Sequence, residues 1–166
     1  MQLVQTKINT KVIGIDVLLL GVMCLVPTFS HLTTLSLSAL DPMRIALLAG
    51  MLLVTDRRNA YLLAVALPLV SCALCGMPTP AKALIMAVEL SANVALFSLL
   101  SDKMNLKVFP AMLLSIVGAK VVYYALKALV LSPAVLVSTS LWLQLALTMV
   151  FAIIFATVIK KRKSDL

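Results

Sequence analysis

Lys82, Met86, Glu89 and Asn93 recur at i, i+4, i+7 and i+11, the spacing of one face of an α-helix. The segment around them, residues 81–100, is otherwise apolar. Two later segments repeat the pattern. Lys120, Tyr124 and Lys127 share a face with Tyr123 beside them, and Ser140, Gln144 and Thr148 share another. An ionised group in the middle of an apolar span is costly, so it must face protein or a water-filled cavity. Three polar stripes that face each other would enclose a polar pocket. The chemistry of such a pocket is binding, by charge-assisted hydrogen bonds to a small polar molecule. The candidate substrate-binding residues are Arg44, Lys82, Glu89, Asn93, Lys120, Tyr123, Tyr124 and Gln144, with His31 and Asp41 in the connector that would cover them. Arg44, Lys82, Lys120 and Lys127 outnumber Asp41 and Glu89, which favours an anionic substrate. A purely structural reading stands beside this one: Glu89 with Lys120, and Asp41 with Arg44, would neutralise each other and lock the helices.

Other chemistry is thinly represented. Cys72 and Cys75 form a C-x-x-C, the spacing of a redox pair or of half a metal site. There is no second such pair, and His31 is the one histidine. Packing as small hydrophobes is the simpler role for all three cysteines, Cys24 included. No cofactor and no metal are expected. "GAK" at 118–120 is not a phosphate-binding loop, so the chain is not expected to hydrolyse ATP or to be an enzyme. Asp16, about a turn into the first apolar segment, is expected to reach water. Trp142 is expected to anchor at an interface.

The elements that must position these residues follow from composition. Of 166 residues, 63% are hydrophobic and 12% charged, with a mean hydropathy of +1.13. A spanning helix needs about 20 apolar residues. Six spans are expected, at about 12–28, 43–55, 60–75, 81–100, 108–131 and 136–159, in one transmembrane domain with no soluble unit. The net charge of +8 first suggests nucleic acid, but its placement points to topology instead. Lys7, Lys11, Arg57, Arg58, Lys103, Lys107, Lys160, Lys161, Arg162 and Lys163 all fall at one set of alternating connectors, and the other set has no lysine or arginine. The positive-inside rule then puts both termini in the cytoplasm. The first segment follows Lys7 and Lys11 as a signal peptide would, but lacks an A-x-A site and is expected to be retained.

Four stretches carry a family likeness. They are "CLVPTFSHL" (24–32), "DPMRIALLAGMLL" (41–53), "LPLVSCALCGMPTPAKALIMAVELSANVALFSLL" (67–100) and "GAKVVYYAL" (118–126). In order and spacing they resemble the substrate-binding S components of energy-coupling factor (ECF) transporters. The sequence departs from that pattern at Arg44, at Lys120 and in "LLVTDRRNA" (52–60). The resemblance implies a six-helix bundle in a bacterial or archaeal cytoplasmic membrane. It implies capture of a small water-soluble vitamin from outside, by a pocket closed with loops. It also implies partners: a coupling membrane protein and two ATPase subunits. Family members dock through small residues in the first helix; here Gly14, Gly21 and Cys24 are available, with Ala60 and Ala64 as a further close-packing pair.

Two other functions fit the same residues: a membrane thiol oxidoreductase using Cys72 and Cys75, and an envelope scaffold whose polar stripes bind partner helices. The charge asymmetry makes a prediction common to all three. In a chain freed of its own cysteines, a cysteine at Thr79 is labelled by an impermeant reagent from outside, and one at Asn59 is not. The reverse pattern would overturn the six-span reading.

Overall fold

The computed structural model describes residues 10–32, 41–54, 56–131 and 141–164. They form six helices: α1 (Thr10–Leu32), α2 (Pro42–Leu53), α3 (Arg57–Cys75), α4 (Pro80–Ser98), α5 (Val108–Leu131) and α6 (Leu141–Ser164). A π-helical turn, Leu99–Lys103, extends α4. There is no strand among the described residues. Four helical stretches among them are long and apolar enough to cross a membrane: Arg57–Cys75, Pro80–Lys103, Val108–Val130 and Gln144–Lys161. Large apolar side chains such as Leu62, Leu74, Leu84, Val121, Leu129 and Ile153 point outward. Helices apolar on their outer faces as well as inside need a lipid solvent. The chain is a multi-pass membrane protein.

Local chemistry sets the helix ends. Asp56 caps α3 by accepting a hydrogen bond from the Arg58 backbone N–H at 3.1 Å, so α3 starts at Arg57, three residues before the expected 60. Gly76 closes α3 at φ 67, a left-handed geometry that favours glycine. Pro80 opens α4, where a missing N–H costs nothing. At the first helix the expectation of an end near 28 is corrected. α1 runs through Pro27 to Leu32, because an apolar setting offers freed backbone groups no water and favours continuing the helix. His31 is therefore in the last turn of α1 and not in a loop; its side chain lies outside what the structure describes. α6 runs to Ser164, past the expected 159, and the basic residues from Lys160 onward suit the negative end of its dipole. The expected start of this helix at 136, and Ser140, lie outside the described residues.

α4 packs between α3 and α5, and α2 packs against α1, α3 and α6. Two apolar clusters result. One joins Leu19 and Met23 of α1, Leu47 of α2, Leu63 and Leu67 of α3, and Leu90 and Val94 of α4. The other joins Leu48 of α2 to Met112 and Ile116 of α5 and to Ala152 and Phe155 of α6. Consecutive residues of α2, Leu47 and Leu48, thus belong to different clusters, which is why this short helix is apolar on nearly every side. Ala60 and Ala64, considered above for docking, are buried in the first cluster. They let helices inside this chain approach. A Cβ at Gly14 or Gly21, by contrast, would meet nothing within 4 Å.

Gly50 marks the tightest approach of α2. A Cβ there would run into Leu63 Cδ1 and come within 3.3 Å of Leu19 Cδ1. Gly50→Val is expected to overpack the first cluster and cost about 1–3 kcal/mol. Gly14→Ala should change stability by less than about 0.5 kcal/mol. Melting temperatures in detergent check both; an unchanged value for Gly50→Val would contradict this packing.

Candidate functional site

Asp41 occupies the N-cap position of α2, yet its side chain makes no capping hydrogen bond. A capping aspartate ordinarily accepts from the first free backbone N–H groups. Here the backbone sits at φ 50, in the left-handed region that aspartate tolerates better than most residues. The carboxylate is directed to two cations instead. Asp41 Oδ2 lies 3.1 Å from Lys120 Nζ and 3.5 Å from Arg44 Nη2.

The same two cations hold Glu89. Arg44 Nη2 donates to Glu89 Oε1, and Lys120 Nζ lies 3.2 Å from that oxygen. The four side chains form one ring of charge across α2, α4 and α5, with two acids and two bases. Arg44 and Glu89 are buried, at 2% and 3% exposure, whereas Asp41 retains 21%. The expected pairs Asp41–Arg44 and Glu89–Lys120 are both present, and cross-pairing fuses them into one unit.

Depth explains the meeting. Glu89 is nine residues past Pro80, about 14 Å along α4. Lys120 is eleven residues before Leu131, about 16 Å along α5. Because Arg44 pairs with Glu89, the N-terminus of α2 starts level with the middle of α4 and not at its end. A helix of twelve residues, about 18 Å long, is enough from there.

The remaining candidates divide. Tyr123 stands between two lysines, its ring centroid 5.3 Å from Lys120 Nζ and 5.8 Å from Lys127 Nζ, a cation–π geometry. Tyr124 packs edge-on against Tyr123 and donates to Gln144 Oε1 at 2.8 Å, so the stripes of α5 and α6 do face each other. Thr148 turns its hydroxyl back to the Gln144 carbonyl at 2.8 Å. Asn93, one turn from Glu89, is 1% exposed, and neither its Nδ2 nor its Oδ1 has a hydrogen-bond partner. Arg44 Nε is also without one. Lys82 is exposed, its four-carbon stem letting the ammonium reach the edge of the bundle. Asp41, expected in the cover, is part of the charge ring. Among the described residues Asp41, Arg44, Glu89 and Lys120 meet one another between the helices. A cavity of about 210 Å³ lies elsewhere, lined by Met51, Val54, Phe97, Asp102, Phe155 and others.

Two polar contacts escaped the sequence reading. Asn59 Nδ2 donates to Asp16 Oδ1 at 2.9 Å, joining α1 to α3, so Asp16 has a protein partner. Both residues lie within two turns of the helix ends on one side, which was the available signal. Asn59 is buried, so a cysteine there would stay unlabelled on either side of the membrane; Met104, exposed at 59%, is the better second probe. The other contact is that of Cys75 Sγ with the Cys24 carbonyl, at 3.5 Å. Among the described residues no group of three His, Cys, Asp or Glu side chains is placed to hold a metal ion.

No known protein family matches this chain, and no curated protein or solved structure is similar to it.

The charge ring predicts a stability pattern. Arg44→Met leaves Glu89 short of a partner and should cost about 3–5 kcal/mol, whereas Arg44→Met with Glu89→Leu leaves the Asp41–Lys120 pair balanced and should recover most of the loss. Melting of the single and double variants in detergent reads this. A double variant as unstable as the single would show that the ring is not the reason Arg44 is needed.

Proposed function

We propose that this chain is a six-span substrate-capture subunit of an ECF-type importer, with both termini in the cytoplasm of a bacterium or archaeon. It takes up a small water-soluble nutrient, of the vitamin class, from the outer side. The chain has no nucleotide-binding motif, so transport would depend on separately encoded ATPase and coupling subunits. The observation that carries the reading is the ring of Asp41, Arg44, Glu89 and Lys120, in which Arg44 and Glu89 are buried and Asp41 and Lys120 half-buried, flanked by Tyr123 and by the unpartnered amide of Asn93. A pure lock between helices needs one pair of charges. A ring of four, with an aromatic ring and an unsatisfied amide beside it, is more polar chemistry than a lock requires.

Asp41 suggests how an anionic substrate would bind. It is the more exposed acid of the ring, and its backbone is in a conformation uncommon for a residue with a side chain. A substrate carboxylate would take its place on Lys120 and Arg44, and the released Asp41 would be free to cap α2. Glu89 would stay and keep Arg44 oriented. Tyr123 offers a flat surface to the body of the substrate, and Asn93 offers a donor and an acceptor. Cations exceed acids at this end of the bundle, as Arg44, Lys82, Lys120 and Lys127 against Asp41 and Glu89, which supports a carboxylate-bearing nutrient. The basic connectors and the four-stretch likeness support the topology and the transporter class.

Native mass spectrometry of the chain, purified in mild detergent and offered a mixture of water-soluble vitamins, tests the reading. One small molecule bound in a one-to-one complex, and no ATP-driven accumulation by the chain alone in liposomes, are expected. A chain that retains none of the mixture, or that pumps by itself, would refute the assignment.

A further inference from the structure

Three cysteines are free thiols in this structure, all half-buried. The sequence pairs Cys72 with Cys75 by spacing, but the fold pairs Cys75 with Cys24. Cys75 is the last residue of α3, and its Sγ reaches across the α1–α3 seam to within 3.5 Å of the Cys24 carbonyl oxygen. Beside them the chain emerges into Gly76 and Met77, both exposed, so Cys75 lies where a small reagent can approach. The seam is already tied once, by Asn59 to Asp16, about 12 Å further along α1 at 1.5 Å per residue. Cys24 and Cys75 are placed to tie it a second time.

We propose that Cys24 and Cys75 are a reversible disulfide site that fastens α1 to α3, and that Cys72 is not part of it. The reaction is exchange with a disulfide donor. The Cys75 thiolate attacks one sulfur of the donor, whose S–S bond breaks and releases one donor thiolate. The Cys24 thiolate then attacks the Cys75 sulfur of the mixed disulfide, forming the Cys24–Cys75 bond and releasing the second donor thiolate. The two cysteines lose two electrons, the donor disulfide gains them, and the two thiol protons end on the donor thiols. The bond would fix the end of α1 from which the chain continues toward Asp41. The pairing itself rests on the contact between α1 and α3. Only its exposure to an oxidising compartment rests on the topology proposed above, and a test on purified protein separates the two.

The full-length chain in detergent is reduced, freed of reductant, incubated with oxidised glutathione, and then alkylated and mapped without reduction. The expected result is loss of two hydrogens from the intact mass, a Cys24–Cys75 cross-linked peptide, and alkylation of Cys72 alone. Cys72→Ser should behave as the wild type, while Cys24→Ser and Cys75→Ser should each lose the cross-link. Oxidation of the wild type should also raise its melting temperature, an effect absent from Cys24→Ser. A cross-link between Cys72 and Cys75, or alkylation of all three thiols after oxidation, would overturn the proposal, and either result can be read whether or not the chain binds a nutrient.

Discussion

Four charges held together between helices, two of them buried and two half-buried, constrain this molecule more than any other feature. Burying a single carboxylate or guanidinium is expensive, and mutual pairing compensates only when the geometry is close and each group is held. Arg44 and Glu89 meet that condition because Lys120 and Asp41 complete the ring. The ring has consequences for the backbone. It draws the N-terminus of α2 down to the level of Glu89, and it takes the Asp41 side chain away from helix capping. It also fixes the relative heights of α2, α4 and α5. Helices in lipid gain little from apolar contact alone, since the solvent is as apolar as the core. A polar tie therefore does more to set register here than it would in water.

Packing follows from that placement. With α2 set between α1 and α3 on one side and α6 on the other, both of its faces are needed for contact, and Gly50 lets α1 and α3 come close. The outer faces of the remaining helices are left to Leu, Ile and Val, which meet the membrane. Lesser ties act at the margins. Ser71 donates to the Met77 carbonyl at 2.8 Å and holds the α3–α4 connector against α3. Arg57 at the start of α3 pairs with Asp102 in the π-helical turn that extends α4, an exposed bridge worth about 0–1 kcal/mol.

Much of this was legible in the sequence, and for physical reasons. The apolar runs are long and the breaks are charged, so α4 and α5 could be bounded within a few residues. Periodicity put Glu89 on one face with Asn93, and Lys120 on one face with Tyr124, and depth along antiparallel helices brought Glu89 level with Lys120. What stayed hidden depended on contacts between distant segments. Nothing in "DPMR" says that α2 begins at mid-depth, because a helix start carries no information about its height. Spacing suggested Cys72 with Cys75, whereas the fold selected Cys24, which lies 51 positions away from Cys75 in the chain. Pro27 looked like an end because proline usually is one in water, and in an apolar stretch the helix continued. Lys82 shares the stripe but is exposed, since a long side chain is not bound to the depth of its own Cα.

The central claim is that the charge ring serves a ligand as well as the fold, and binding to the double variant Arg44→Met with Glu89→Leu tests it most directly. The variant keeps the Asp41–Lys120 pair, so folding and binding can be read apart. Titration with the small molecule that the wild-type protein retains should show a well-folded variant with weaker binding. A loss of about 1.5–3 kcal/mol is expected for a missing charged hydrogen bond, or roughly 10- to 150-fold in affinity. Wild-type affinity in a folded double variant would contradict the account and leave Arg44 and Glu89 as a lock between helices.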